Sequence, residues 1–181
     1  YGKKIIADRI NFISDLSKRA NLIHRDITSG KENLDVKYMY NVSEEDFEKK
    51  LFSSREKDIY YGTTSVGIHK DDLVFNINDV NARDYGSQGQ QRTVCLSLKL
   101  AEVEMVEKIT GYKPILLLDD VLSELDRSRQ LYILNSIKGV QTIITSTGIE
   151  DIKENVENIR IFNVKNGEVS WKYMKCNYII K

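Results

Sequence analysis

Apolar and polar positions alternate along this chain in two periods, and the switch between them outlines its elements. Ile5, Ile6, Ile10, Ile13, Leu16, Leu22 and Ile23 recur near helical spacing between charged residues, so residues 3–25 read as a long amphipathic helix. After the Gly-containing loop "TSGKEN", the stretch "LDVKYMYNV" alternates as a strand. "SEEDFEKKLFSSREKDIYYG" opens with Ser43 three residues before Asp46, an N-cap signal for a second, charged helix. "SVGIHKDDLVFNIND" returns to strand character, with a turn near His69 to Asp72. Helix 88–109, strand 115–119, helix 127–137, strand 141–146, a short helix near 149–156 and a terminal hairpin in "IRIFNVKNGEVSW" follow. Such alternation predicts an α/β fold with a central, mostly parallel sheet flanked by helices. Residues 1–62 form a partial helical lobe with one strand, and 63–181 the α/β part.

The strand in "ILLLDDVLSELD" sets a chemical problem. Four consecutive apolar residues predict burial on both faces, yet the run ends in Asp119 and Asp120, which cannot enter a dry core unpaired. The carboxyl edge of such a strand is where α/β folds place ligands. There Asp119 suits a magnesium ion in the Walker B manner, and Asp120 a base that orients an attacking water. The bland alternative, acids that cap the following turn, is the poorer fit to a doublet followed by "SELD".

A second constellation lies in "YGSQGQQRT". Gly86 and Gly89 bracket Ser87 and Gln88 where a helix begins, so free N–H groups and a hydroxyl converge at the positive end of a helix dipole. The segment by itself suits an anion site or a plain Ser87 helix cap equally.

Composition narrows the setting. Of 181 residues 41% are hydrophobic, enough for a real core, and 27 basic residues balance 27 acidic ones. No global basic signature of a nucleic-acid binder exists, and any DNA contact must be local; "KYMKCNYIIK" reads first as a terminal strand with solvated lysines. Cys95 and Cys176 lie far apart, suggesting neither a disulfide framework nor a zinc site and favouring a cytoplasmic setting. No apolar run is long enough to cross a membrane, and the first residues lack a signal peptide's pattern. His24 reads as a structural residue whose ring suits the end of the first helix, His69 as a positioning element, and Trp171 as packing. None of the ten glycines begins G-x-x-x-x-G-K-[ST], so a cradle for the β- and γ-phosphates is lacking. By itself the chain is therefore expected neither to bind ATP tightly nor to hydrolyse it.

"SQGQQRT", "ILLLDD" and "SELD" in this order resemble the C-terminal half of an ABC-type ATPase head of the SMC and Rad50 kind, and most closely the RecF family. "VGIHKDDLVFNIND" and "ARDYGSQGQQRT" extend the resemblance, which is close over residues 63–150. It implies that Ser87, Gly89 and Gln90 contact the γ-phosphate of ATP held by the other subunit, with Gln88 where the general signature has its first glycine. Asp119 would serve Mg²⁺, and Asp120 the catalytic acid position, where general ABC proteins prefer Glu; the shorter side chain implies slow turnover. Ser123, Leu125 and Asp126 would form a D-loop touching the partner, and Ser146 and Thr147 stand where a switch His is usual. The resemblance further implies a homodimer formed on ATP, a slow DNA-dependent ATPase, contacts with single-stranded and double-stranded DNA, and the partners RecR, RecO and RecA in DNA repair. Two rivals remain: another SMC/Rad50-like head, whose coiled-coil arms residues 1–62 do not provide, and a noncatalytic interaction module.

Overall fold

In the folded chain the apolar stripe of the first helix is narrower than its sequence suggests. A computed structural model describes residues 1–122, 125–146 and 159–174. Helix α1 (Gly2–Ile27) buries Ile6, Ile13, Leu16, Ala20, Ile23 and Ile27 on one face, whereas Ile10 and Leu22 fall off that face and are exposed. Contacts divide the chain into two units, Tyr1–Gly111 and Tyr112–Lys181.

In the first unit α1 packs on β1 (Leu34–Met39) and on the long helix α4 (Gln88–Thr110). β1 pairs antiparallel with β2 (Asp72–Ile77), and β2 with the short β3 (Val80–Asn81), in the order β1-β2-β3. As an edge strand β1 has outward N–H groups to satisfy. Two of them bond to α1: Leu34 N–H to Asn21 Oδ1 at 2.9 Å and Val36 N–H to Ser17 Oγ at 2.9 Å. The helix thereby seals the sheet edge as well as its face. Between β2 and β3 the two-residue turn Asn78-Asp79 has positive φ at both positions, 48° and 68°, the geometry that matches strand twist in a tight hairpin. α4 contributes Val94, Leu96, Leu100, Ala101 and Met105 to the core. Residues 63–111 thus complete the layers begun by residues 1–62.

Helix α2 (Phe47–Tyr61) begins slightly later than its sequence signal. Ser43 Oγ accepts the Asp46 N–H at 3.2 Å in a preceding turn, and Asp46 is the N-cap. None of its side chains is buried. A 3₁₀ turn at Ile68–Lys70 then stands where a turn near His69 is predicted.

Asp71 follows that turn and anchors it. Its side chain is only 3% exposed; Oδ2 accepts from Arg9 Nη1 at 3.1 Å and from the Tyr38 hydroxyl, and Oδ1 accepts the Asn41 N–H at 2.8 Å. Arg9 also donates to the Ile68 carbonyl at 2.7 Å. Burial pushes the Tyr38 hydroxyl above its ordinary pKa, and the bond to Asp71 pushes it the same way. Replacing Asp71 by Ala leaves the Tyr38 hydroxyl without this acceptor and removes one from the partly exposed Arg9 and the exposed Asn41 N–H. The expected cost is about 2–3 kcal/mol, read as a lower denaturant midpoint with unchanged slope.

In the second unit β4 (Leu116–Asp119) and β5 (Thr142–Thr145) pair in parallel, with Asp119 opposite Thr145. The crossover between them contains α5 (Arg127–Ser136). Parallel strands need such a crossover, and the helix interrupts the acidic doublet from the next strand. Leu116, Leu118, Leu122, Leu125, Ile133, Leu134 and Ile137 are the unit's buried aliphatic residues around this crossover. The expected burial of β4 on both faces is not seen: Leu117 is 69% exposed and Ile143 56%, so one face of the sheet that β4 and β5 form among the described residues is exposed. The period of two decides which residues are covered.

The terminal hairpin forms as predicted, β6 (Ile159–Lys165) against β7 (Glu168–Met174). Its Asn166-Gly167 turn has φ of 52° and 82°. Trp171, expected to pack, is exposed opposite Phe162. The predicted helix near 149–156 lies outside the described residues.

Candidate nucleotide-contact site

The turn that presents Ser87 is built by sterics and by glutamines. Helix α3 (Ala82–Tyr85) is capped by Asn81, whose side chain accepts the Arg83 N–H at 2.8 Å. At Gly86 the chain folds so tightly onto α3 that a Cβ would lie 2.4 Å from the Ala82 carbonyl oxygen. Only glycine fits there without a shift. Gln91 Nε2 ties the same turn down by donating to the carbonyls of Ala82 at 3.0 Å and Arg83 at 3.2 Å.

Ser87 is the N-cap of α4 and forms a reciprocal capping box with Gln90. Ser87 Oγ accepts the Gln90 N–H at 3.3 Å, and Gln90 Oε1 accepts the Ser87 N–H at 2.9 Å. The first in-helix bond runs from the Gln91 N–H to the Ser87 carbonyl at 2.9 Å. That leaves the N–H groups of Gln88 and Gly89 as the turn's remaining donors. Because Ser87 Oγ accepts in the box, its own O–H is still available to donate. Ser87 and Gln88 are exposed and Gly89 is half-buried, so these donors open to solvent. The cap and the anion site, alternatives in the sequence, are compatible in the fold.

Behind the turn lies a polar chain that sequence reasoning missed. Gln90 Nε2 donates to Glu32 Oε1 at 2.9 Å, and Glu32 Oε2 is 3.0 Å from His24 Nε2. His24 is completely buried, and its Nδ1 is 3.1 Å from Ser97 Oγ. The ring is therefore structural, as predicted, but for a different reason: it joins α1 to α4. Glu32 carries no local signal, since it reaches Gln90 only because the loop after α1 folds back.

In the second unit Asp119 and Asp120 stand exposed at the carboxyl edge of β4. Thr145, at the end of β5, holds both. Its hydroxyl donates to Asp119 Oδ1 and accepts the Asp120 N–H at 3.0 Å, while its carbonyl is 3.2 Å from the same N–H. Asp120 has φ +49°, a left-handed conformation that Asp and Asn tolerate better than other non-glycine residues. The turn thus re-aims the second carboxylate away from the strand's alternation. Thr145 was legible only as a strand residue; its role follows from its register opposite Asp119.

The remaining candidates divide. Ser146 directly follows β5 at the same edge as the aspartates. Asp126 caps α5, accepting from Arg129 N–H at 3.1 Å and Ser128 Oγ at 2.5 Å; the Ser128 bond, then the Arg129 one, holds its pKa below the usual carboxylate value. Leu125 is buried in its own unit. Ser123 and Thr147 lie outside the described residues. Among the described residues no three His, Cys, Asp or Glu side chains cluster to hold a metal. A lone carboxylate suits Mg²⁺, which keeps water and is commonly held by one or two carboxylates plus substrate phosphates. Among the described residues no helix is long and apolar enough to cross a membrane.

No family model matches the chain. Among curated proteins it is similar to the DNA replication and repair protein RecF of Clostridium kluyveri, 52% identical over 176 residues, covering 94% of this chain and 48% of the relative. The RecF of Clostridium novyi is 49% identical over 176 residues, covering 94% of this chain and 49% of the relative. Among solved structures, the recombination mediator protein RecF of the RecFOR pathway, solved as RecF-ATP, superposes with a TM-score of 0.77 at 36% identity, over 95% of this chain and 47% of that one. An SMC ATPase structure superposes with a TM-score of 0.58 at 13% identity, covering 96% of this chain and 89% of that one, a likeness of fold alone. The α/β class and the ATPase-head likeness expected from the motifs therefore hold, and the rival SMC reading is left with the weaker match. The chain spans about half the length of the curated relatives it matches, and over that span it is similar to RecF proteins in both sequence and fold.

Proposed function

We propose that this chain supplies the signature turn and the Walker B edge of a RecF-like DNA repair ATPase that dimerises on ATP. Ser87, with the N–H groups of Gln88 and Gly89, binds the γ-phosphate of ATP held by the other subunit, and Gln90 fixes the turn. Asp119, oriented by Thr145, would hold Mg²⁺ together with the phosphates, and the ion would supply neutralisation of phosphate charge. Asp120 orients or deprotonates the attacking water. Ser123 and Asp126 belong to the loop facing the partner, and Ser146 and Thr147 stand in for a switch His.

The observation that carries this reading is the exposed Ser87 turn, with two N–H donors and one O–H left over, in a chain 52% identical to a RecF protein. A clamp completed only across two subunits links nucleotide state to assembly, so ATP acts as the switch and hydrolysis as its reset. The whole protein would engage single-stranded and double-stranded DNA and act with RecR, RecO and RecA in loading the recombinase at gaps. These roles are carried over from the RecF relatives on the strength of the shared motifs.

Sedimentation of the full-length protein tests the reading. It is expected to be monomeric without nucleotide and dimeric with Mg-ATP. A sedimentation coefficient indifferent to Mg-ATP favours the noncatalytic interaction module instead.

A further inference from the structure

The chain of bonds behind the signature turn has a defined proton order. Ser97 Oγ donates its only proton to the Thr93 carbonyl at 2.7 Å, so at its 3.1 Å contact with His24 Nδ1 the ring must be the donor. His24 Nε2, 3.0 Å from Glu32 Oε2, then shares a second proton with that carboxylate. The result is a buried ring held from both sides, with Glu32 fixed at one oxygen by His24 and presenting the other to Gln90 at 2.9 Å. Gln90 has no freedom left: its Nε2 is held by Glu32 and its Oε1 accepts the Ser87 N–H at 2.9 Å.

We infer that Glu32, backed by His24, is a positioning residue for the signature turn: it orients Gln90 so that Ser87, Gln88 and Gly89 present their donors in one direction. Glu32 touches no nucleotide in this account. It acts through Gln90, and the inference rests on the proposed trans contact by the Ser87 turn. A pre-ordered turn loses less freedom when the γ-phosphate arrives, so the benefit appears in assembly.

The geometry distinguishes three substitutions. Ala removes both contacts. Asp keeps the charge beside His24 but is one methylene too short to reach Gln90 as well. Gln can do both jobs: its oxygen accepts from Gln90, and its NH₂ donates to Nε2 of a neutral ring that still donates from Nδ1.

The test uses the full-length protein. Glu32→Ala and Glu32→Asp are expected to raise the protein concentration for half-maximal Mg-ATP-driven dimerisation by about tenfold, from one lost bond in each of two sites, with monomer nucleotide affinity unchanged. Glu32→Gln is expected to behave as the parent. Hydrogen exchange over residues 86–91 should rise in the first two and stay at the parent level in the third. If Glu32→Ala fails to fold, the Asp and Gln variants decide. Parent-like dimerisation and exchange in Glu32→Asp, or a Glu32→Gln variant as impaired as Glu32→Ala, overturns the inference. Ser87→Arg in the same assay separates the two readings. If it too leaves dimerisation untouched, the nucleotide-contact reading falls, and the exchange data still judge the role of Glu32.

Discussion

Asp120→Asn in the full-length protein is expected to lower ATP turnover by about two to four orders of magnitude while leaving an ATP-bound dimer that no longer disassembles. The two halves of that result have separate causes. Asn keeps the size and polarity of the side chain but cannot take a proton, so water activation is lost. It also tolerates the left-handed backbone at this position, φ +49°, so the β4 edge and its bonds to Thr145 survive. Asp120→Ala would mix chemical loss with backbone strain and is the poorer probe. Single-turnover hydrolysis together with sedimentation in Mg-ATP reads both halves. Turnover at the parent level would remove Asp120 from the chemistry, and an unstable dimer would detach hydrolysis from the reset of the switch.

Ser87→Arg is expected to abolish Mg-ATP-driven dimerisation, with a loss of about 100-fold or more in association, while monomer nucleotide affinity is retained. Arg at the N-cap loses the Oγ that accepts the Gln90 N–H at 3.3 Å, removes the hydroxyl donor and places a long side chain over the N–H groups of Gln88 and Gly89. Loss of the cap alone costs about 1 kcal/mol of helix stability. A thermal midpoint shifted by only a few degrees alongside complete loss of dimerisation would therefore assign the effect to the contact surface and not to unfolding. Sedimentation and calorimetry on the same samples make that distinction.

How much of this was legible from sequence depended on whether a feature is local. Helices α4 and α5, strands β4 and β5 and the Asn-Gly hairpin are written in runs of nearby residues, and their boundaries fall within a few positions of those predicted. Ser87, Asp119 and Asp120 stand out as candidates for the same reason, since a cap, two glycines and an acidic doublet are neighbours in the chain. Glu32 and Thr145 do not. Glu32 is 58 residues from Gln90, and Thr145 is 26 from Asp119; only folding brings each to its partner. The predicted two-sided burial of β4 failed because an apolar run states affinity for a core without stating how many faces are covered: Leu116 and Leu118 are buried, and Leu117 is not. His24 shows the converse, a helix-end residue whose burial depends on Glu32 and Ser97 arriving from elsewhere.

The central claim, that Ser87 of one subunit and Asp119 of the other serve one nucleotide, is tested most directly by mixing two defective full-length variants. Ser87→Arg and Asp119→Asn are each expected to be inactive alone. In a mixed dimer a trans arrangement joins the intact Asp119 of the first to the intact Ser87 of the second, restoring one site and concentrating both lesions in the other. An equimolar mixture is then expected to regain ATP turnover, up to about half of the parent's if every dimer is mixed, because each mixed dimer has one of two sites intact. A mixture as inactive as its components, with mixed dimers present, would contradict the account.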